Sequence, residues 1–225
     1  MIKKILLTVA HVMLIGAIIL SCVEFGSFDR NFYYREYEKL EIAQEIQISF
    51  DELMKAMDVI LAYTDGSRAD MYCPVVIKGK ITQFYNQDEM DHMVDVKELY
   101  NKAIMVRNIF AVAGLAILLF LYKERKLFRQ TLLWGLEFMG AIVAAIGIFA
   151  WSDFSGFWTA FHYALFDNEL WLLNPATDNL IVMMPLQVFN DLVGTIFLYS
   201  AIAVVVYCIL IVVLGGKSEN KRSPL

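Results

Sequence analysis

Hydrophobic residues along this 225-residue chain are concentrated in four long blocks separated by polar stretches. A helix needs about 20 mainly apolar residues to cross about 30 Å of hydrocarbon, and each block is long enough. Arg107 and Glu137 lie near the ends of their blocks, where a charged side chain reaches the interface or a neighbouring helix. We therefore predict four transmembrane helices, over residues 5–22, 103–122, 132–151 and 192–214.

The composition also indicates a membrane protein. Apolar residues make up 59% of the chain and charged residues 19%, whereas soluble domains contain about 45–50% apolar residues. A soluble globule of this size would not bury so much apolar surface, and a disordered chain would not contain it. Both classes of protein are therefore excluded.

Basic residues predict the orientation, because the cytoplasmic loops of membrane proteins are enriched in lysine and arginine. Lys3 and Lys4 precede the first span, four basic residues lie within residues 123–131, and three lie in the tail 215–225. We predict that these segments are cytoplasmic, so that both termini lie inside the cell.

The two remaining segments are mainly acidic. Residues 23–102 contain sixteen acidic and nine basic residues, and residues 152–191 contain five acidic residues and no lysine or arginine. We predict that both are extracellular. The net charge of −5 comes mostly from them and does not favour a nucleic-acid partner, which would require a basic face.

Residues 23–102 are predicted to form a small α+β cap. Apolar positions over residues 28–49 follow the helical period. Ser49 and Glu52 have capping-box spacing and predict the start of a second helix, which ends near Gly66.

The rest of the cap contains strand signals and then helix signals. β-branched and aromatic residues between positions 72 and 84, with Gly79 in the middle, predict a hairpin. Asn86, followed three residues later by Glu89, predicts the start of another helix.

Residues 152–191 form an aromatic segment after the third span. It is too apolar for a free loop and too short to cross the membrane twice, so we predict that it lies at the outer interface, where aromatic residues are favoured. Asp178 is predicted to cap a short helix before the fourth span. A helix would place four regularly spaced side chains on one face: Phe154, Trp158, His162 and Phe166.

The chain contains three histidines. His11 lies among apolar residues of the first span and is interpreted as a core residue bonded to a neighbouring helix. His92 and His162 both lie on the predicted outer side, and Asp95 follows His92 by one turn, where a carboxylate fixes the tautomer of a general base. The alternatives are a solvated helix face for His92 and aromatic core packing for His162.

No motif for a covalent nucleophile or a cofactor accompanies these histidines. The sequence has no GxSxG, HExxH or Gly-rich phosphate loop, and its three cysteines form no CxxC pair. Cys73, which Pro74 follows in the predicted hairpin, is interpreted as structural. We predict neither a cofactor nor a metal site.

Two blocks of the sequence resemble the signature of the lipoprotein intramolecular transacylases. The order of the spans and the size of the cap also resemble this family, so the resemblance covers most of the chain. The first block comprises Phe84-Tyr85-Asn86, Glu89 and His92 to Lys97; the second comprises Phe161-His162, Phe166, Asn168, Trp171-Leu172-Leu173, Pro175, Asp178, Leu180-Ile181, Met183, Pro185 and Phe189.

The resemblance implies a bacterial membrane enzyme whose partners are membrane lipid and lipoproteins with a diacylglyceryl group on the N-terminal cysteine. It would move the sn-2 acyl chain to the free α-amino group, giving the N-acyl S-monoacylglyceryl lyso form. The implied catalytic histidines match His92 and His162. The implied fold is a mainly α-helical membrane protein with four spans, an extracellular cap and an aromatic interfacial segment.

Two imidazoles suit the aminolysis of an ester, because one acts as base and the other as acid. Our first hypothesis makes His92, oriented by Asp95, the base toward the amine and His162 the acid toward the alkoxide; the reverse assignment stays open. Candidate oxyanion or carbonyl contacts are Lys97, Arg107 and Asn168, and the candidate substrate-binding wall consists of Tyr85, Trp158, Phe161, Phe166 and Trp171.

Two other functions also stay open at this point. One is an acyltransferase that works through a Cys73 thioester. The other is a non-enzymatic membrane sensor or assembly partner, whose acidic outer domain binds a ligand.

Overall fold

Helices account for most of the chain, and the computed structural model describes residues 1–216. The last residues of the predicted cytoplasmic tail, 217–225, lie outside this range. The helices are α1 (Ile2–Ser27), α2 (Arg30–Lys39), α3 (Ile42–Ile46), α4 (Phe50–Thr64), α5 (Gln87–Phe120), α6 (Phe128–Ser152), α7 (Phe154–Leu165), α8 (Asn179–Met183) and α9 (Leu186–Gly216), with a 3₁₀-helix at Tyr122–Leu127 and strands β1 (Pro74–Ile77) and β2 (Lys80–Gln83).

Four of these helices, α1, α5, α6 and α9, are long and apolar enough to cross a membrane, as predicted. Their bounds differ from the predicted spans. α5 runs without interruption from the residue after Asn86, and its second part ends at Phe120, two residues before the end of the predicted span 103–122. α6 begins at Phe128, before the predicted start at Leu132.

The chain divides into two compact units. The membrane unit comprises Met1–Glu24, Ala103–Ser152 and the chain from Ile196 onward, and the second unit comprises Phe25–Lys102 and Asp153–Thr195. His92 and His162 both belong to the second unit.

The membrane unit has an apolar core that encloses one histidine. His11 is fully buried, and its Nδ1 lies 2.6 Å from the hydroxyl of Tyr207 on α9. The prediction that His11 is a core residue bonded to a neighbouring helix is therefore confirmed. The buried apolar residues of this core are Leu7, Ala10, Leu14, Leu118, Leu121, Phe128, Leu132 and Ile211.

A glycine allows α1 and α5 to pack closely in this unit. A Cβ at Gly114 would lie 2.7 Å from Cγ of Leu14 and 3.1 Å from the carbonyl oxygen of Ala10. Small residues are common where membrane helices approach each other closely. Gly114 therefore determines how near these two helices can come.

The second unit begins with two helices where the sequence predicted one over residues 28–49. That prediction is wrong, because the chain turns between α2 and α3 at Glu41, whose φ is 54°. A second left-handed residue, Gln47, ends α3 at φ 64°. Because of this turn, α3 does not continue α2, and its two isoleucines, Ile42 and Ile46, are buried.

The predicted limits of α4 are confirmed. The hydroxyl of Ser49 accepts a hydrogen bond from the backbone N–H of Glu52 at 3.2 Å, which is one half of the capping box. Asp65 ends the helix, and Gly66 follows with φ 85°. The buried face of α4 includes Leu53.

The predicted hairpin is also confirmed. β1 and β2 pair antiparallel, with Ile77 opposite Lys80. Lys78 and Gly79 form the turn with φ values of 52° and 77°. Two consecutive positive φ values give the twist that a tight hairpin needs.

Replacing Gly114 by valine is expected to destabilise the membrane unit, because the first side-chain carbon already overlaps Leu14. Overpacking of this kind costs about 1–3 kcal/mol. It should lower the thermal unfolding midpoint of the detergent-solubilised protein. Gly147→Val on α6 is the matched control, since no atom lies within 4 Å of a Cβ built there. Equal losses in both variants would contradict the close packing at Gly114.

Candidate active site

The first turn of α5 is fixed by a reciprocal cap. The side-chain oxygen of Asn86 accepts a hydrogen bond from the backbone N–H of Glu89 at 3.0 Å, and the Glu89 carboxylate accepts one from the Asn86 N–H at 2.6 Å. His92 follows Glu89 by one turn and is 8% exposed. The cap therefore fixes the backbone from which this histidine projects.

α7 carries the second histidine on its predicted aromatic face. Asp153 caps the helix by accepting a hydrogen bond from the N–H of Gly156 at 2.9 Å. The rings of Phe154 and Trp158 are nearly parallel, with centroids 6.0 Å apart, and Trp158 lies 4.9 Å from His162. His162 is 8% exposed at the C-terminal end of this stripe.

The two histidines lie beside each other within the second unit. The ring centroids of His92 and His162 are 6.3 Å apart and their planes are inclined by 32°. Phe166 contacts both, at 5.6 Å from His92 and 5.7 Å from His162. A pair of buried imidazoles with one shared aromatic neighbour is thus the centre of the candidate site.

Most of the predicted wall surrounds His162. Besides Trp158 and Phe166, Phe161 lies 5.6 Å and Trp171 4.8 Å from its ring, centroid to centroid. Phe189, which was not among the predicted site residues, extends this cluster by packing 4.1 Å from Trp158.

Tyr85 does not belong to this cluster of rings. Its side chain is fully buried, and its hydroxyl donates a hydrogen bond to the backbone carbonyl of Ala56 at 2.8 Å. It also lies 3.5 Å from the sulfur of Met183. Tyr85 therefore joins α4 to the start of α5 and to α8 from inside the core.

A backbone carbonyl fixes the tautomer of His162. Nδ1 of His162 lies 2.7 Å from the carbonyl oxygen of Trp158. Because a carbonyl oxygen only accepts hydrogen bonds, Nδ1 carries the proton and the lone pair of the neutral ring is on Nε2. Burial lowers the pKa of His162, although the bond to Trp158 opposes this shift. The ring is therefore neutral near pH 7, with Nε2 ready to accept a proton.

His92 has no such partner. Its Nδ1 is buried, and no side chain or backbone group among residues 1–216 bonds to it. The Asp95 carboxylate, which the sequence hypothesis placed on His92, instead accepts a hydrogen bond from the side-chain amide of Asn168 at 2.8 Å. The predicted orienting bond is thus replaced by one between α5 and the segment that follows α7.

The three candidates for oxyanion contacts have different surroundings. The ammonium of Lys97 lies 4.3 Å from the centroid of the Tyr63 ring. In the membrane unit, Arg107 pairs with Glu24 and also donates two hydrogen bonds of 3.1 Å to the side chain of Asn108. Asn168 is the one that the structure ties to the histidine cluster, since its backbone carbonyl accepts from the indole of Trp171 at 3.0 Å.

A polar latch, formed by the buried Glu89 and Asp178 and the half-buried Asn86, joins the start of α5 to the start of α8. Besides capping α5, the fully buried Glu89 carboxylate accepts a hydrogen bond from the backbone N–H of Leu180. Asp178 accepts from the Asn86 amide at 2.8 Å and from the Asn174 N–H at 2.6 Å. The sequence predicted Asp178 as the cap of α8, but Glu89 satisfies that helix from a distant part of the chain.

Cys73 lies at the start of the hairpin and is 1% exposed. Burial raises the pKa of its thiol. The thiol is therefore protonated at neutral pH and is a weak nucleophile. Within residues 1–216, no cluster of three or more histidine, cysteine or acidic side chains is arranged to hold a metal ion.

Comparison with known proteins gives one family and one fold. The family model of the lipoprotein intramolecular transacylase Lit matches residues 8–189. No curated protein sequence matches the chain.

The solved structure of the membrane-integral lipoprotein intramolecular transacylase Lit from Bacillus cereus is similar to this one, with a TM-score of 0.80 at 20% identity over 98% of this chain and 99% of that chain. A variant of that protein with a histidine replaced by arginine gives a TM-score of 0.80 at 20% identity, over 98% and 95% of the two chains. A variant with alanine gives 0.77 at 21%, over 96% and 94%. The likeness shows a shared fold.

Asp178→Ala is expected to destabilise the second unit, because it leaves the N–H of Asn174 and the amide of Asn86 without their acceptor. A fully buried polar group left unpaired costs about 1–3 kcal/mol; because Asn86 is half-buried and Asn174 is exposed, we expect a total loss near the lower end, about 1 kcal/mol. Thermal or denaturant unfolding in detergent measures the loss. Asp167→Ala is the control, since Asp167 is an exposed carboxylate of the same segment. A stability equal to that of the control would show that the latch contributes nothing.

Proposed function

The chain belongs to the lipoprotein intramolecular transacylase family, whose members are acyltransferases, and from this premise we propose its reaction and the residues that carry it out. The substrate is a lipoprotein whose N-terminal cysteine bears an S-diacylglyceryl group. The sn-2 acyl chain moves to the α-amino group of the same cysteine, and the product is the N-acyl S-monoacylglyceryl lyso form. The observation that carries this proposal is the buried pair His92 and His162, in which the tautomer of His162 is fixed by a hydrogen bond.

The chemistry requires no nucleophile from the protein. The amine nitrogen attacks the ester carbonyl, a tetrahedral oxyanion forms, and the bond to the glyceryl oxygen breaks as the amide forms. Donor and acceptor belong to one molecule, and well-oriented intramolecular reactions gain about 7–11 kcal/mol from positioning. The aromatic rings around His162 suit this task, because rigid side chains restrict the conformations of a bound substrate.

The amino group loses two protons on this path. It arrives as an ammonium near neutral pH and ends as an amide N–H. One proton goes to the glyceryl oxygen and the other goes to solvent. We assign the proton that reaches the glyceryl oxygen to His92, which takes it from the ammonium and gives it to the departing oxygen. We assign the proton that reaches solvent to His162, which takes it from the tetrahedral intermediate.

The fixed tautomer supports His162 as the base of the attack step. Its Nε2 accepts the proton while Nδ1–H remains bonded to the Trp158 carbonyl, so the resulting imidazolium keeps a partner for its charge. This changes our first hypothesis in two ways: His92 still deprotonates the ammonium but also becomes the acid toward the departing oxygen, and His162 acts as a base instead of as that acid. The free Nδ1 of His92 is consistent with a group that bonds to substrate.

Burial also limits the charge that the pair can hold. Two imidazolium rings with centroids 6.3 Å apart would repel each other in a site shielded from water. In the proposed sequence only one ring is protonated at a time, because His92 gives up its proton as His162 receives one.

The distribution of basic residues supports the location of this reaction. Under the positive-inside rule, Lys3, Lys4 and the basic residues of 123–131 support cytoplasmic termini. The acidic segments 23–102 and 152–191, which contain the two histidines, would then lie outside. The diacylglyceryl group keeps the substrate at the membrane.

No observation favours the two alternative functions. A thioester mechanism needs a reactive thiolate, whereas Cys73 is buried and its pKa is raised. A binding protein would not require a second imidazole beside the first.

Replacing either histidine by alanine should abolish most of the acyl shift, because general acid–base groups contribute roughly 100- to 10,000-fold to a rate. Mass spectrometry of lipoprotein N-termini, in cells that express each variant in place of the wild type, measures the shift. Cys73→Ser is the control and should retain full activity. An unchanged shift in His92→Ala or His162→Ala would refute the proposed site, and loss in Cys73→Ser with both histidine variants active would favour the thioester.

The pH dependence should report the lowered pKa of His162. Acidification protonates Nε2 and removes the lone pair of the base, so the rate falls only below the ordinary histidine pKa of 6.5. Single-turnover rates on bound diacylglyceryl lipopeptide should therefore stay level from about pH 7.5 down to 6.5 and then decline. A midpoint of the acid limb at or above 6.5 would contradict this assignment.

A further inference from the structure

Asp95 is a charged group at the histidine pair for which the reaction above has no role. It lies on α5 one turn after His92, close enough for an electrostatic interaction with that ring. Its hydrogen-bond partner is the side-chain amide of Asn168, at 2.8 Å. The backbone of Asn168 is in turn bonded to Trp171, which contacts His162. The Asp95 carboxylate is therefore connected to His92 through α5 and to His162 through Asn168 and Trp171.

The hydrogen-bond partner of Asp95 is a neutral amide, so this bond brings no positive charge to the carboxylate. No lysine or arginine in the part of the chain that the structure describes forms an ion pair with Asp95. Lys97 lies over Tyr63, and Lys102 pairs with Glu98 at 3.5 Å. Asp95 is half-buried, which strengthens its attraction to a cation compared with that of an exposed carboxylate.

The other charged groups around the site add no cation. Asp91 and Glu98 lie on neighbouring turns of α5, and Asp167 and Glu169 flank Asn168. The titratable side chains whose rings contact each other at the site are His92 and His162. The buried Nδ1 of His92 also lacks a partner in the described chain. The site thus contains a carboxylate that pairs with no lysine or arginine of the described chain and, one turn earlier on the same helix, an imidazole nitrogen without a hydrogen-bond partner there.

We propose that Asp95, held in place by Asn168, is the subsite that binds the α-ammonium group of the substrate and so selects N-termini that are not yet acylated. The inference rests on the proposed function and specifies how that site recognises its substrate. A free N-terminal amine has a pKa of about 8 and is mostly protonated at pH 7. An N-acylated terminus is neutral and gains nothing from the carboxylate. The same carboxylate stays close to the positive charge when the ammonium proton moves to His92.

Binding of an unreactive substrate analogue tests this inference. The probe is a peptide with an N-terminal S-(dialkylglyceryl)cysteine, whose ether links cannot be transferred, prepared with a free α-amine and with an N-acetylated one. The wild-type protein in detergent should bind the free amine about tenfold more tightly at pH 7, as expected for a charge-assisted hydrogen bond. Asp95→Asn should bind both forms equally, and Asp95→Glu should keep part of the preference.

Asp91→Asn is the matched control, because Asp91 is an exposed carboxylate one turn earlier that bonds to Gln87. It removes the same charge from the same helix and should leave the preference unchanged. A preference that survives in Asp95→Asn, or is lost equally in Asp91→Asn, would overturn the inference.

A second measurement needs no variant. The wild-type preference should disappear between pH 7 and about pH 9.5, because the amine deprotonates in this range. A preference that persists at the higher pH would reflect the bulk of the acetyl group and would refute charge recognition. Failure of the proposed function is distinguishable, since it would show as no acyl shift by the wild type on the natural diester.

Discussion

The buried carboxylate of Glu89 is the constraint on which the site depends. It caps α5 through the N–H of Asn86 and satisfies the start of α8 through the N–H of Leu180. A fully buried carboxyl group is tolerable only when it is hydrogen-bonded, so the two helix starts must stay together for its oxygens to keep their donors. His92 lies one turn beyond this point. The position of His92 therefore depends on the same hydrogen bonds that hold the start of α8.

The local features of the fold followed from the sequence, because each depends on neighbours in the chain. The four spans, the Ser49 cap of α4 and the turn at Lys78-Gly79 are of this kind. The break between α2 and α3 was not predictable in this way. Glu41 is not a residue that usually adopts a positive φ, and the turn forms because burial of Ile42 and Ile46 compensates for it.

The site was predictable to a smaller degree. Helical spacing and family resemblance singled out His92 and His162, but spacing alone suggested that Asp95 would bond to His92. The actual partner, Asn168, is 73 residues away in sequence. Likewise Asp178 had the position of a helix cap, and the more distant Glu89 took that role. Long-range hydrogen bonds of this kind have no periodicity that a single sequence could show.

The bond between His162 and the Trp158 carbonyl differs in one respect from the contact between Asp95 and Asn168. Its acceptor is main chain, so no point substitution at position 158 removes the oxygen. Substitutions at position 158 therefore do not change the tautomer of His162 for as long as α7 remains helical. The Asp95–Asn168 contact has no such protection, since one codon change in either partner abolishes it. Among homologous proteins, substrate recognition can thus diverge while the base keeps its orientation.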